Sequence, residues 1–318
     1  MGVHLARYEK EGRRGWAVVQ GEALHPISAE ADSLQALLAL CRRPISDATG
    51  SAAIPLRGAR LLSPVTGPCS IVCQGLNYSS HRAESGHHSH KPPFNLLFMK
   101  AHSSLSGPSD DVIRPRGVRL LDYELEIGLV IGRAIEGPVK VTNENLHEFV
   151  AGVVLSNDVS ARDIQIPQQQ WFKGKSFRTF CPVGPYLYLL DPGDASRVLR
   201  LDIRLEVNGE VRQQANTSQL LYGPAETLTE LSGLMNLYPG DLVQTGTPGG
   251  VAIQAPSPRA ARIGRILMSE KKMMQTFLKK QLESPRYLKD GDVIRCTART
   301  ADSAIDLGVM ETRVAAAH

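Results

Sequence analysis

Three short segments hold residue types that could do chemistry together. In Asp122-Tyr123-Glu124-Leu125-Glu126-Ile127-Gly128-Leu129-Val130-Ile131-Gly132 the apolar period is two, so the segment is a strand. Tyr123, Leu125, Ile127, Leu129 and Ile131 fall on one face, which the pattern buries; Glu124 and Glu126 share the other with Gly128 and Val130. Next-but-one side chains on a strand project the same way, ~6.5–7 Å apart. Two carboxylates this close on a core strand repel each other and lose hydration. A hard divalent cation resolves that conflict by taking oxygen ligands and supplying the opposite charge; the plainer alternative is an edge strand whose Glu face meets solvent. A second segment, Val153-Val154-Leu155-Ser156-Asn157-Asp158, ends an apolar run in a carboxylate at a strand end. Arg162 and Gln165 follow, three apart as on one helical face and suited to donate to a polarised oxygen, unless Asp158 merely caps a helix and pairs with the Arg. The third, Gln74 to Glu84, reads as a strand passing into a capped helix. There His81 and Glu84 at i,i+3 can meet, the Glu orienting the imidazole as a base, although a surface ion pair explains such spacing too. His87-His88-Ser89-His90 suggests zinc at first sight, but no Cys or carboxylate spacing supports it, and a loop or lid is the better reading.

These segments need a frame. Of 318 residues, 42% are hydrophobic and 21% charged, a globular composition that excludes a disordered chain or a rod. Aromatics at 5%, with 28 Gly and 20 Pro, favour many short strands and tight turns over a helical bundle. Residues 1–65 read as a small β-rich domain with a helix over 33–40 and a connector at 43–50 and 54–56; a larger domain follows over 66–318. Asn208-Gly209, between alternating apolar runs, is a strong hairpin signal. Residues 259–285 break the pattern: Ile263, Ile266, Met274, Phe277, Leu278 and Leu282 recur at helical spacing among Lys271, Lys272, Lys279 and Lys280, which reads as a surface helix with a solvated basic face. A net charge of +4 is too weak to imply nucleic acid, and no apolar run approaches a membrane span. The opening residues lack a signal-peptide core, and five scattered cysteines (Cys41, Cys69, Cys73, Cys181, Cys296) give no disulfide framework, so the expectation is a reduced, cytoplasmic protein.

Taken together and in order, the motifs resemble the fumarylacetoacetate hydrolase (FAH) family. They are Gly-Leu-Asn-Tyr-x-x-His-x-x-Glu (75–84), Tyr-Glu-Leu-Glu-Ile-Gly-Leu-Val-Ile-Gly (123–132), Asn-Asp-Val-Ser-Ala-Arg-Asp-Ile-Gln (157–165), Gly-Lys-Ser-Phe (174–177), Cys-Pro-Val-Gly-Pro (181–185), Val-Asn-Gly-Glu (207–210) and Gln-Thr-Gly-Thr-Pro-Gly-Gly-Val (244–251). The resemblance implies an α+β, predominantly β architecture with a mixed β-roll catalytic domain, and a homodimer. It implies one Mg²⁺ or Mn²⁺ per subunit on Glu124, Glu126 and Asp158, and a water-activating dyad of His81 and Glu84. Lys175, Gln165 and Arg162 would stabilise an oxyanion, and Thr247 would hold a substrate carboxylate; Tyr78 and Gly246 complete the implied substrate-binding set. Two departures matter. Where some members carry a fourth carboxylate ahead of the His segment, this chain offers only Leu76 and Asn77, which resembles the acylpyruvase-like branch. The 259–285 insertion interrupts the usual run to the C-terminal strands and could border the pocket. The complete dyad favours hydrolysis of a C–C bond in a 1,3-diketo (acylpyruvate- or fumarylpyruvate-like) acid, in aromatic-compound catabolism. An isomerase or decarboxylase of a 2-oxo or 2-hydroxydienoate diacid is the main alternative, and a non-catalytic ligand-binding protein on the same fold is another. The partner expected is a small-molecule substrate, with neither nucleic acid nor membrane.

Overall fold

The computed structural model describes residues 2–28, 30–40, 52–256 and 268–317. Cys41, the expected connector at 43–50 and the first part of the expected insertion, 259–267, lie outside the described residues. The alternating runs assemble into a mixed sheet of eleven strands. Across it lie Ile54–Pro55, Ala23–Pro26, Arg13–Gln20, Val3–Lys10, Leu187–Leu189, Val150–Asn157, Leu125–Ile131, Leu242–Gln244, Ile71–Gly75 and Leu96–Lys100, with Arg60–Leu62 also paired to Val3–Lys10. Neighbours are antiparallel except Leu242–Gln244 and Ile71–Gly75, which run parallel. A second sheet of five strands orders Glu210–Asn216, Asp202–Val207, Val293–Arg299, Asp306–Ala316 and Val112–Arg114. The architecture is α+β and predominantly β, as the sequence implied.

The period-two strand Leu125–Ile131 lies in the middle of the large sheet, between Val150–Asn157 and Leu242–Gln244, and every residue in it is buried. Leu125, Ile127, Leu129 and Ile131 pack into a core shared with Leu205, Ile294 and Leu307 of the second sheet. Val130 faces the other way, into a core with Val154, Leu242, Leu5, Trp16, Leu34 and Leu37. The first 65 residues thus supply five strands to the large sheet and half of that second core. Within the sheet they join the rest where Val3, His4 and Leu5 pair with Leu189, Tyr188 and Leu187.

The expected hairpin is present. Asn208 and Gly209 carry φ of 52° and 81°, the left-handed pair that a two-residue turn with matching twist needs. Asn208 Oδ1 also accepts from the Val293 N–H at 2.9 Å, which ties the turn to the next strand. The Leu34–Leu40 helix forms as expected. Of the expected basic helix, the described part is Glu270–Gln281, N-capped by Ser269, whose hydroxyl accepts from the Lys272 N–H.

Candidate active site

Glu124 and Glu126 are not on an edge. Glu126 lies on the central strand Leu125–Ile131 and Glu124 immediately precedes it, and both carboxylates are buried, at 1% and 5% exposure. The neighbouring strand brings Asp158 alongside: its N–H donates to Glu124 O (2.8 Å), and the Glu124 N–H donates to Asn157 Oδ1 (2.9 Å). These backbone locks converge three acidic side chains, and one carboxylate oxygen from each lies within 4.8 Å of the others. The two segments meet because their strands pair in register, with Leu125 opposite Asn157 and Glu126 opposite Ser156.

Cations surround the cluster. Lys175 Nζ donates to Glu124 Oε2 (2.7 Å) and Asp158 Oδ2 (2.6 Å). Arg162 donates to Glu124, to Asp122 Oδ2 (2.9 Å) and to Gln165 Oε1 (2.8 Å). Lys100 donates to Asp158 and to Phe180 O (2.9 Å). Burial works to raise the Glu124 pKa, but Lys175 and Arg162 outweigh it and hold the group below its ordinary value. Burial likewise opposes the Lys175 charge, yet Asp158 and Glu124 keep its pKa raised. Glu126 is the exception. Burial first, then Asp158 and Glu124, push its pKa well up; its carboxylate accepts from the Gly246 N–H (2.7 Å), and among the described residues no Lys or Arg bonds to it.

The donor set fits a hard divalent cation. Four buried carboxylates (Asp122, Glu124, Glu126, Asp158) meet three buried cations (Lys100, Arg162, Lys175), and Glu126 could ionise only with a further positive charge beside it. An uncompensated charge inside a core is costly, and all-oxygen ligation is what Mg²⁺ or Mn²⁺ takes.

The remaining expected residues are distributed unevenly. His81, Glu124, Arg162, Gln165, Lys175 and Thr247 line one cavity of about 860 Å³. Gln165 gives its carbonyl to Arg162, which orients its amide so that the NH₂ remains free to donate. His81, on the Ser79–Glu84 helix, is buried, and burial lowers its pKa to about 4, so the imidazole is neutral. Among the described residues its Nδ1 has no partner. Glu84 does not supply one: both its oxygens accept from the Gly250 N–H, at 3.0 and 2.8 Å. The i,i+3 spacing puts the two on one short helix without joining them, because the Gly250 loop offers Glu84 a backbone donor.

Three expected substrate contacts sit differently from the sequence reading. The Thr247 hydroxyl donates to Leu125 O (2.9 Å) and accepts from Gln213 (2.8 Å), so its proton is committed to the strand. Gly246 lies at φ +88°, where its N–H fixes Glu126; a Cβ there would come within 2.7 Å of Asn77 Cβ. Tyr78 is 1% exposed, its hydroxyl has no partner among the described residues, and it is not on the cavity wall. Asn77 is a splint: it donates to Tyr222 O (3.0 Å) and Thr245 O (2.8 Å) and accepts from the Tyr222 N–H (2.8 Å).

Sequence reasoning missed Lys100 and Asp122. Lys100 ends the apolar run Leu96-Leu97-Phe98-Met99, and a charge closing an apolar strand was its available signal. Asp122 closes the short strand Leu121–Asp122, two residues ahead of Glu124, and brings a fourth carboxylate to the cluster, though it commits its oxygens to Arg162 and to the N–H groups of Tyr123 (2.8 Å), Ala252 (2.8 Å) and Ile253 (3.1 Å). The helix Glu270–Gln281 is more than a solvated surface element, since Met273, Met274, Phe277 and Lys280 line the cavity.

Comparison with known proteins gives this geometry a context. The bovine mitochondrial oxaloacetate tautomerase FAHD2A is 39% identical over 221 residues, spanning 69% of this chain and 68% of that protein. A 2,4-didehydro-3-deoxy-L-rhamnonate hydrolase from Sphingomonas sp. is 43% identical over 189 residues, 59% of this chain and 64% of that protein. Among solved structures, a fumarylacetoacetate hydrolase from Exiguobacterium antarcticum superimposes with a TM-score of 0.75 at 29% identity, over 99% of this chain and 100% of that one. The 2-hydroxyhepta-2,4-diene-1,7-dioate isomerase from Mycobacterium marinum gives 0.70 at 25% identity, over 99% and 98%. The profile of the fumarylacetoacetate (FAA) hydrolase C-terminal region matches residues 70–315, a span that takes in the acidic cluster, its cations and the His81 helix, and the chain belongs to the fumarylacetoacetate hydrolase family.

Proposed function

We propose that this chain is a divalent-metal-dependent isomerase that interconverts the enol and keto forms of a 2-oxo acid. One observation carries the reading: the groups that stabilise an enolate are assembled, whereas a water-activating pair is not, since Glu84 is held by Gly250 and His81 Nδ1 is bare. A divalent cation on Glu124, Glu126 and Asp158 would supply Lewis-acid stabilisation of the developing enolate. Arg162 and the Gln165 NH₂ bind and orient the substrate carboxylate, with Asp122 holding the guanidinium in plane. Lys175 places a fixed charge beside the oxygen on which negative charge grows. His81, neutral and on the same wall, takes a proton from the carbon next to the 2-oxo group and returns it to the enol oxygen or back to carbon. The tautomerase and isomerase names of two relatives are in keeping with this chemistry.

A second reading, C–C hydrolysis of a 1,3-diketo acid in aromatic-compound catabolism, is favoured by a different observation. Glu84 lies three residues from the unpartnered His81 Nδ1, so leaving Gly250 for His81 would assemble the base that hydrolysis needs; a hydrolase also stands among the relatives. The test compares loss of the oxaloacetate enol absorbance with cleavage of acetopyruvate, with Mg²⁺ or Mn²⁺ and after EDTA. The isomerase reading expects metal-dependent enol loss that His81→Ala slows ~10²-fold. Efficient cleavage of the diketo acid without acceleration of enol loss would overturn it in favour of the hydrolase.

A further inference from the structure

The cavity, at about 860 Å³, is far roomier than a three- or four-carbon head group on its charged floor requires. Besides Glu124, Arg162 and Lys175, the cavity is lined by a set of large apolar side chains, with Glu270, Thr276 and Lys280 among the polar ones. Phe98 and Trp171 form one corner, edge to face with centroids 5.1 Å apart. The other side is roofed by Met273, Met274 and Phe277 of the Glu270–Gln281 helix. That helix is anchored away from the roof. Gln281 donates to Gln254 O (2.9 Å) and accepts from the Tyr287 hydroxyl (2.8 Å), while Leu278 packs on the main core. Met273, Met274 and Phe277 remain half-buried because they border open space, and Lys271, Lys272 and Lys279 point outward.

We infer that the substrate is a 2-oxo acid bearing an extended apolar arm, alkyl or aryl, and that Met273, Met274 and Phe277 set how much of that arm is bound. The inference rests on the head-group reading proposed above and adds the other end of the molecule. Phe98, Trp171, Met273, Met274 and Phe277 gain from every methylene they help remove from water. Two methionines in the roof suit arms of differing shape, since the thioether side chain repacks readily.

The probes are oxamate, N-butyloxamate and N-hexyloxamate, which keep a 2-oxo carboxylate head and lengthen only the arm, titrated calorimetrically into the full chain with saturating Mg²⁺. The expected result is up to ~4-fold tighter binding per added methylene until the cavity is filled. Phe277→Ala and Met274→Gln should flatten that series while leaving oxamate itself nearly unchanged; Lys271→Ala, on the outer face, should keep the wild-type slope. Met274→Gln preserves side-chain length and helix propensity, so it remains informative if Phe277→Ala perturbs the helix, which far-UV circular dichroism would reveal. Equal affinity for oxamate and N-hexyloxamate would overturn the inference, as would an unchanged slope in both roof variants. Oxamate binding indifferent to Mg²⁺ and to Lys175→Met, with the arm slope intact, would sink the head-group reading while supporting the arm.

Discussion

Lys175 occupies the position where a bound cation would most directly compete, since its ammonium already satisfies oxygens of both Glu124 and Asp158. Removing it should separate charge balance from catalysis. Lys175→Met is expected to keep or tighten Mn²⁺ binding, followed by calorimetry, and to lower kcat by ~10²–10³ as one preorganised electrostatic contact is lost. The metal-free variant should lose about 3 kcal/mol of stability, because a buried pair broken from one side leaves its partner uncompensated. A variant altered only in KM would remove Lys175 from the reacting atoms. His81 gives a second residue-level test. Burial lowers its folded pKa to about 4 from an unfolded value near 6.5, so the unfolded chain binds the extra proton between these limits. The stability of the metal-free protein should therefore fall as pH drops from about 6.5 toward about 4, by on the order of 3 kcal/mol at most. Above that window His81 contributes no slope. The His81 imidazole resonance, identified by its loss in His81→Gln, titrating near 6.5 in the metal-free chain would contradict this, as would an acid limb left unchanged by that variant.

Two glycines in turns show how elements convert backbone geometry into a site. Gly209 closes the Asn208-Gly209 hairpin at φ +81°, with nothing within 4 Å of the point where a Cβ would sit. Gly246 follows the Leu242–Gln244 strand at φ +88°, and a Cβ on it would lie 2.7 Å from Asn77 Cβ and 3.0 Å from Gln74 O. Both incur left-handed strain if replaced by Ala, about 1–2 kcal/mol. Only Gly246→Ala must also shift the loop whose N–H fixes Glu126. It is expected to weaken Mn²⁺ binding roughly tenfold, the equivalent of one charge-assisted hydrogen bond, whereas Gly209→Ala should lower Tm alone. Metal titrations alongside thermal melts separate the two, and unchanged metal affinity in Gly246→Ala would mean that Glu126 needs no help from that loop.

At the scale of the whole molecule, the N-terminal strands and the site-bearing strands belong to one sheet, and Leu5, Trp16, Leu34 and Leu37 share a core with Val130, Val154 and Leu242. A boundary near residue 65 would therefore cut a hydrogen-bonded sheet and split a core. The chain's two tryptophans report on the two regions separately, Trp16 in that core and Trp171 on the cavity wall. In Trp16→Phe and in Trp171→Phe, the remaining tryptophan's fluorescence midpoint in urea should coincide with the far-UV circular dichroism midpoint of the same variant, as one cooperative unit requires. Midpoints that separate would restore two independently folding domains.

By itself, the sequence determined whatever depends on local periodicity and residue chemistry. The period of two around Glu124 and Glu126 marked a buried strand with carboxylates on one face, and Asp158 at the end of an apolar run marked their companion. Asn208-Gly209 marked a hairpin because only a left-handed pair turns that tightly. Tertiary structure decided which donors and acceptors meet across the chain, since those pairings carry no periodic signal. Lys100 reaches Asp158 across 58 residues, and Asp122 reaches Arg162 across 40. Glu84, only three residues from His81, gives its oxygens to Gly250, 166 residues away, because a backbone N–H at a loop is a fixed donor already in reach. The basic helix likewise read as solvated from its lysines, yet docking turns its Met and Phe side chains over the cavity. Sequence spacing states which groups can meet on one element; the packing of distant elements decides which of them do.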